Sequence, residues 1–133
     1  MPEMADLRGF TMTEGNSSST IHTIAGRPAR EVAEIHYQAL VAGDRDRWLA
    51  TLSDRERKAA DRPGTSASFW WETGRQRAAA GVTYRFQRVD REDERTAKLF
   101  FERLGAGGAP QGQPVPIHML YAKDRWVVRM PSY

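Results

Sequence analysis

The stretch Ala78-Ala79-Ala80-Gly81-Val82-Thr83-Tyr84-Arg85-Phe86-Gln87-Arg88-Val89 marks a change of period in the chain. Before Gly81, apolar residues recur at helical spacing. After it they alternate, with Tyr84, Phe86 and Arg88 set against Thr83, Arg85 and Gln87. Alternation is the signature of a strand with one buried face, because successive side chains point to opposite sides of a sheet. The ordered segments upstream of Gly81 therefore read as helices and those downstream as strands.

Downstream, residues 90–94 form a charged turn and residues 96–104 a return strand. In that strand Ala97, Leu99 and Phe101 share one face, and Lys98, Phe100 and Glu102 the other. A loop rich in Gly, Pro and Gln covers residues 105–114. Residues 115–122 give a third strand, Lys123-Asp124 a tight turn, and residues 125–130 a last strand with Trp126, Val128 and Met130 opposite Val127 and Arg129. Pro116 belongs at a strand start or edge, since it cannot donate to a ladder.

Upstream, order is expected to begin at Pro28, a residue suited to a helix start. Val32, Ile35, His36, Ala39 and Leu40 then follow one helical face, and Gly43 stops the helix by taking the left-handed conformation. Asp44 caps a short helix that buries Trp48, Leu49 and Leu52. Ser53-Asp54-Arg55-Glu56 opens another short turn as a capping box, and Pro63-Gly64 breaks it. Thr65 or Ser66 caps a third main helix carrying Phe69, Trp70, Thr73, Arg77 and Ala78, which Gly74 weakens and Gly81 ends. Residues 1–26 read as a flexible lead-in and residues 27–133 as one domain. Helices first and hairpin-linked strands last define an α+β fold, with N-terminal helices packed on a curved antiparallel sheet.

A length of 133 residues suffices for one core without staples. The absence of cysteine excludes a disulfide framework, a thiolate nucleophile and cysteine-based metal sites. The net charge is +3, and acidic residues are interleaved with the arginines, as in Asp44-Arg45-Asp46-Arg47. Such interleaving favours self-paired solvated faces over nucleic-acid binding. No apolar run approaches the ~20 residues of a membrane span, and residues 1–26 do not resemble a secretory signal, so a cytoplasmic location is the expectation.

Candidate chemistry is sparse. His22 lies in the lead-in, His36 lies beside the apolar stripe of the first helix, and His118 alternates with Ile117 and Met119. Their spacing fits no metal motif, so no metal and no cofactor is expected. Gly105-Ala106-Gly107-Gly108 precedes a strand, so it is a hairpin loop and no nucleotide fingerprint. On the strands only Glu102 and His118, with Asp90 at a strand end, could serve acid–base work. Aromatics are the richer signal. Tyr37, Trp48, Trp70, Tyr84 and Tyr121, with Arg88 and His118, are the candidates to line an apolar pocket for a small, flat organic ligand. The same aromatics also read as plain core.

The helix over residues 28–42, the Ala42-Gly43-Asp44 stop, Trp48 and Leu52 in the next helix, a long helix, and the closing Asp124-Arg125-Trp126-Val127-Val128 hairpin resemble the nuclear transport factor 2-like superfamily. The likeness spans residues 28–130, and is nearest to the SnoaL-like and lumazine-binding-like bacterial groups. It implies a sheet curved around a long helix into a cystatin-like cone, with a pocket at the open end. The chain carries one strand fewer than many members between its second and third helices. Enzymes of the superfamily work through ionisable side chains inside the cone, so a lyase, isomerase or hydrolase stands as an alternative to non-enzymatic binding of an apolar or aromatic ligand. A protein-interaction module is the third alternative. Pairing of sheet faces is common in the superfamily. If Leu99, Phe101, Met119 and Trp126 face the helices, then Phe100, Leu120 and Val127 face outward and would bury their apolar surface in a homodimer, the rival being a monomer whose lead-in folds back over this face.

Overall fold

The structure is a computed structural model describing residues 24–133. Four helices, α1 (Ala29–Ala42), α2 (Arg45–Ala50), α3 (Asp54–Ala59) and α4 (Ser66–Ala79), precede four strands, β1 (Thr83–Glu92), β2 (Thr96–Leu104), β3 (Val115–Ala122) and β4 (Arg125–Met130). The strands form one curved antiparallel meander in the order β1-β2-β3-β4. The α+β fold class read from the change of period is thus the observed one. Among the described residues, no helix is long and apolar enough to cross a membrane.

Local signals account for the helix ends. Gly43 closes α1 at φ 75°, a conformation an L-residue resists. Its neighbour Asp44 accepts from the Arg47 N–H to start α2, and Ser53 and Thr65 do the same for α3 and α4. Arg75 on α4 donates to the main-chain oxygens of Leu40 (2.7 Å) and Val41 (3.0 Å), placing a cation on the negative end of α1. Packing begins ahead of Pro28: Ile24 is fully buried, although it falls within the expected lead-in. The rest of that segment, His22 included, lies outside the described residues.

The core fills the space between the helices and the inner sheet face. Val32, Leu40, Trp48 and Leu52 meet Leu99, Phe101, Ile117, Met119 and Val128 there. The segment after α2 extends the sheet edge: the Val128 N–H donates to the Thr51 main-chain oxygen at 2.7 Å, and Leu52 bridges Val128 in parallel. Arg125 locks this junction by reaching the main-chain oxygens of Ala50 and Leu52 and the carboxylate of Asp54. Lys123 and Arg57 bind the same carboxylate, led by a 2.7 Å contact from Lys123, and together these hold Asp54 down to about 2.

Three sequence expectations change in the sheet. Register shifts between Phe86 and Arg88 and between Val89 and Arg91 show that β1 is bulged, so Val89 pairs with Leu99 on the inner face and Arg88 with Phe100 on the outer. Arg88 therefore leaves the face of Tyr84 and Phe86. A further shift at His118/Met119 sets Met130 beside His118 on the outer face. Strand β1 also runs on to Glu92, so the expected turn at 90–94 is shorter.

Gly74 was expected only to weaken α4. Instead it is buried, and a Cβ there would stand 2.5 Å from a terminal carbon of Leu40. The missing side chain is what lets α4 approach α1. Gly74→Ala should therefore destabilise the fold by about 1–3 kcal/mol through overpacking, despite the roughly 1 kcal/mol that alanine gains in helix propensity. Urea unfolding measures this, and an unchanged or raised midpoint refutes it.

Candidate functional site

The titratable group deepest in the fold is His36, on the inward stripe of α1. It is fully buried. Its Nδ1 lies 2.7 Å from the Thr51 hydroxyl and its Nε2 lies 2.6 Å from the Tyr133 hydroxyl. Thr51 donates its own proton to the Trp48 main-chain oxygen at 2.6 Å. The indole N–H of Trp48 donates to the Tyr133 oxygen at 3.1 Å.

These four contacts permit one proton arrangement. Thr51 has spent its proton, so it accepts from His36 Nδ1–H. Nε2 is then bare and accepts the Tyr133 proton, while the Tyr133 oxygen accepts from Trp48. The bonds run in one sense around a closed ring: Trp48 to Tyr133 to His36 to Thr51 and back to Trp48. Burial lowers the His36 pKa to about 3, so the imidazole is neutral. The Tyr133 phenol is pushed far up by the same loss of water.

Tyr133 is the piece that sequence reasoning missed. It follows the last strand, outside any periodic pattern, yet its ring lies parallel to His36 at 5.8 Å and meets Tyr37 and Tyr84 edge-on. Arg103 anchors it by donating to its main-chain oxygen. Tyr37, itself buried, donates to the Ser132 oxygen at 2.9 Å and packs against Tyr84 and Phe101, each at 4.5 Å between ring centres. These rings pack together beneath the inner sheet face. The Tyr84 hydroxyl is buried beside Arg103 without a well-formed hydrogen bond; burial raises its pKa, against the pull of Arg103 and Arg77.

The pocket candidates do not converge. Tyr37, Trp48 and Tyr84 belong to this cluster. Trp70 lines a shallow depression of about 360 Å³ beside the start of α4, with Ser66, Phe69 and Glu72. Tyr121 is 40% exposed and rests against Trp126 at the far end of β3. Arg88 and His118 lie on the outer sheet face.

The acid–base candidates are likewise outside the core. Glu102 is paired with Arg85, and Asp90 with Arg88 and Lys98. His118 is half-buried, its pKa lowered by desolvation and then by Lys98, Arg129 and Arg91. Among the described residues no three His, Asp or Glu side chains gather where a metal could sit.

The proposed outward apolar residues are altered too. Phe100 is half-buried, with the Arg88 guanidinium 4.3 Å and the Lys98 ammonium 5.2 Å from its ring centre. Leu120 is half-buried. Val127 shares the outer register with Leu120 but is fully buried, at the wall of the hollow formed by Ser53, Asp54, Arg55 and Arg125. It is covered because the segment leading into α3 wraps the β4 edge, which alternation alone does not register. No protein-family model matches the chain, and no curated protein matches it.

Two outcomes follow from the ring. Because the folded pKa of His36 lies below its unfolded value of about 6.5, its contribution to stability is complete above that value and is lost as pH falls toward 3. Between pH 7 and pH 5 the loss should reach about 2 kcal/mol, with His118 adding in the same direction. Nitrogen-15 NMR should show His36 as the Nδ1–H tautomer through this range; an Nε2–H tautomer or a charged ring at pH 5 refutes the arrangement. Tyr133→Phe, which strands both the Trp48 N–H and His36 Nε2, should cost about 2 kcal/mol or more in urea unfolding.

Proposed function

We propose that this domain is a nuclear transport factor 2-like fold acting as a non-enzymatic protein-interaction module, with its working surface on the outer face of the sheet. One observation supports this reading: Tyr133 is packed into the core between helices and sheet, with its hydroxyl committed to Trp48 and His36. A ligand entering there has to break the hydrogen-bond ring and displace an aromatic side chain that is itself 94% buried. Burial also removes the means of proton transfer, since His36 is neutral and Tyr37 and Tyr133 hold their protons far above the usual phenol range. The side chains free to change partner are outside, on strands whose outer face combines half-buried Phe100 and Leu120 with exposed Met130 and cations.

An apolar fluorescent probe, 1-anilinonaphthalene-8-sulfonate, separates this reading from ligand binding in the cone. The folded chain should give no saturable signal that shifts the His36 and Trp48 side-chain resonances. Saturable binding that shifts them would show a cone able to open and would overturn the proposal.

A further inference from the structure

The outer sheet face carries more cations than carboxylates: Arg85, Arg88, Arg91, Lys98 and Arg129 stand against Glu102 and Asp90. Bulging in β1 and the shift between β3 and β4 place Arg91, Lys98, His118 and Met130 side by side across the four strands. Directly opposed like charges on neighbouring strands destabilise a sheet. Arg129, exposed on β4, adds to the potential felt by His118, as do Arg91 and Lys98. Carboxylates elsewhere on this face are spent: Glu102 holds Arg85, and Asp90 holds Arg88 at 3.0 Å with Lys98 only at 3.8 Å. Arg91 is attracted by Asp90 and Asp93 without a direct bridge, and Arg129 makes no salt bridge with any described residue.

Apolar surface flanks the cations. Met130 is 51% exposed at the end of the row. Leu120 and Phe100 are half-buried, and Phe100 has its ring occupied by Arg88 and Lys98. An occupant must therefore supply negative charge to Arg91, Lys98 and Arg129, and apolar side chains to Leu120 and Met130. Resting on the interaction-module reading above, we infer that this face docks an acidic peptide segment in which carboxylates alternate with leucine-like side chains.

Charge complementarity selects this occupant over two others. A second copy in twofold register brings the same surplus cations toward each other, which like-charge repulsion opposes. Nucleic acid needs stacking platforms as well as cations, and the one aromatic ring of this patch already has cations over it. Docking by strand addition at β1 is disfavoured by the bulges and charges that blunt that edge.

The test uses the full chain and a fluorescein-labelled peptide of alternating glutamate and leucine, read by fluorescence anisotropy. Saturable binding is expected, weakening as salt rises, with shifts in the His118 and Met130 resonances and none at His36. Replacing glutamate by glutamine in the peptide, or making Arg129→Glu or Arg91→Glu in the protein, should each weaken binding about tenfold or more. Both arginines are exposed and without a direct bridge, so circular dichroism should show the variants folded. Absence of saturable binding, or binding indifferent to both charge reversals, overturns the inference. So does tighter binding of a single-stranded oligonucleotide, which would make the partner a nucleic acid. A mass near twice 15.1 kDa by light scattering, with His118 shielded in the dimer, overturns the acidic partner in favour of a second copy while leaving the module reading intact. Failure of that reading shows separately, as probe-induced shifts at His36.

Discussion

The hydrogen-bond ring through His36, Thr51, Trp48 and Tyr133 joins three parts of the chain: the middle of α1, α2 with the residue that ends it, and the segment after β4. Each member donates one bond and accepts another, so removing the His36 or Tyr133 side chain leaves two buried partners short. Buried polar groups are worth keeping only when every member is satisfied, and here each is. The ring thereby fixes how α1 sits on α2 and brings Tyr133 back over the core.

That constraint has a consequence for what the domain can do. With Tyr133 drawn inward, Tyr37 and Tyr84 meet its ring edge-on, and Phe101 packs against Tyr37. The buried histidine is kept neutral, which suits a structural acceptor and disables a proton shuttle at physiological pH. The acid–base candidates Glu102 and Asp90 stand on the outside of the sheet, each already paired with an arginine or lysine.

The bulges in β1 make this division possible. Each extra residue turns the following side chain to the opposite face, so Val89 comes in to meet Leu99 while Arg88 and Arg91 go out. A strand of strict alternation would have put Arg88 among the inner aromatics, where an unpaired guanidinium is costly. Bulging thus resolves a conflict in the strand's own pattern, and the same event builds the basic row on the outer face.

Much of this fold was determined by residue pattern alone. The switch of period at Gly81 dictated helices followed by strands, and Gly43, Asp44, Ser53 and Thr65 set the helix ends, because these effects act within a turn or two of chain. The inward set of Leu99, Phe101, Ile117 and Met119 followed from alternation. Tertiary structure decided the rest. Whether Gly74 weakens α4 or admits Leu40, whether Val127 is exposed or wrapped by the chain before α3, and whether Tyr133 trails or plugs the interior all depend on contacts between residues far apart in sequence. Periodicity reports which side of its own element a residue occupies. What stands opposite that side is settled only when the elements pack.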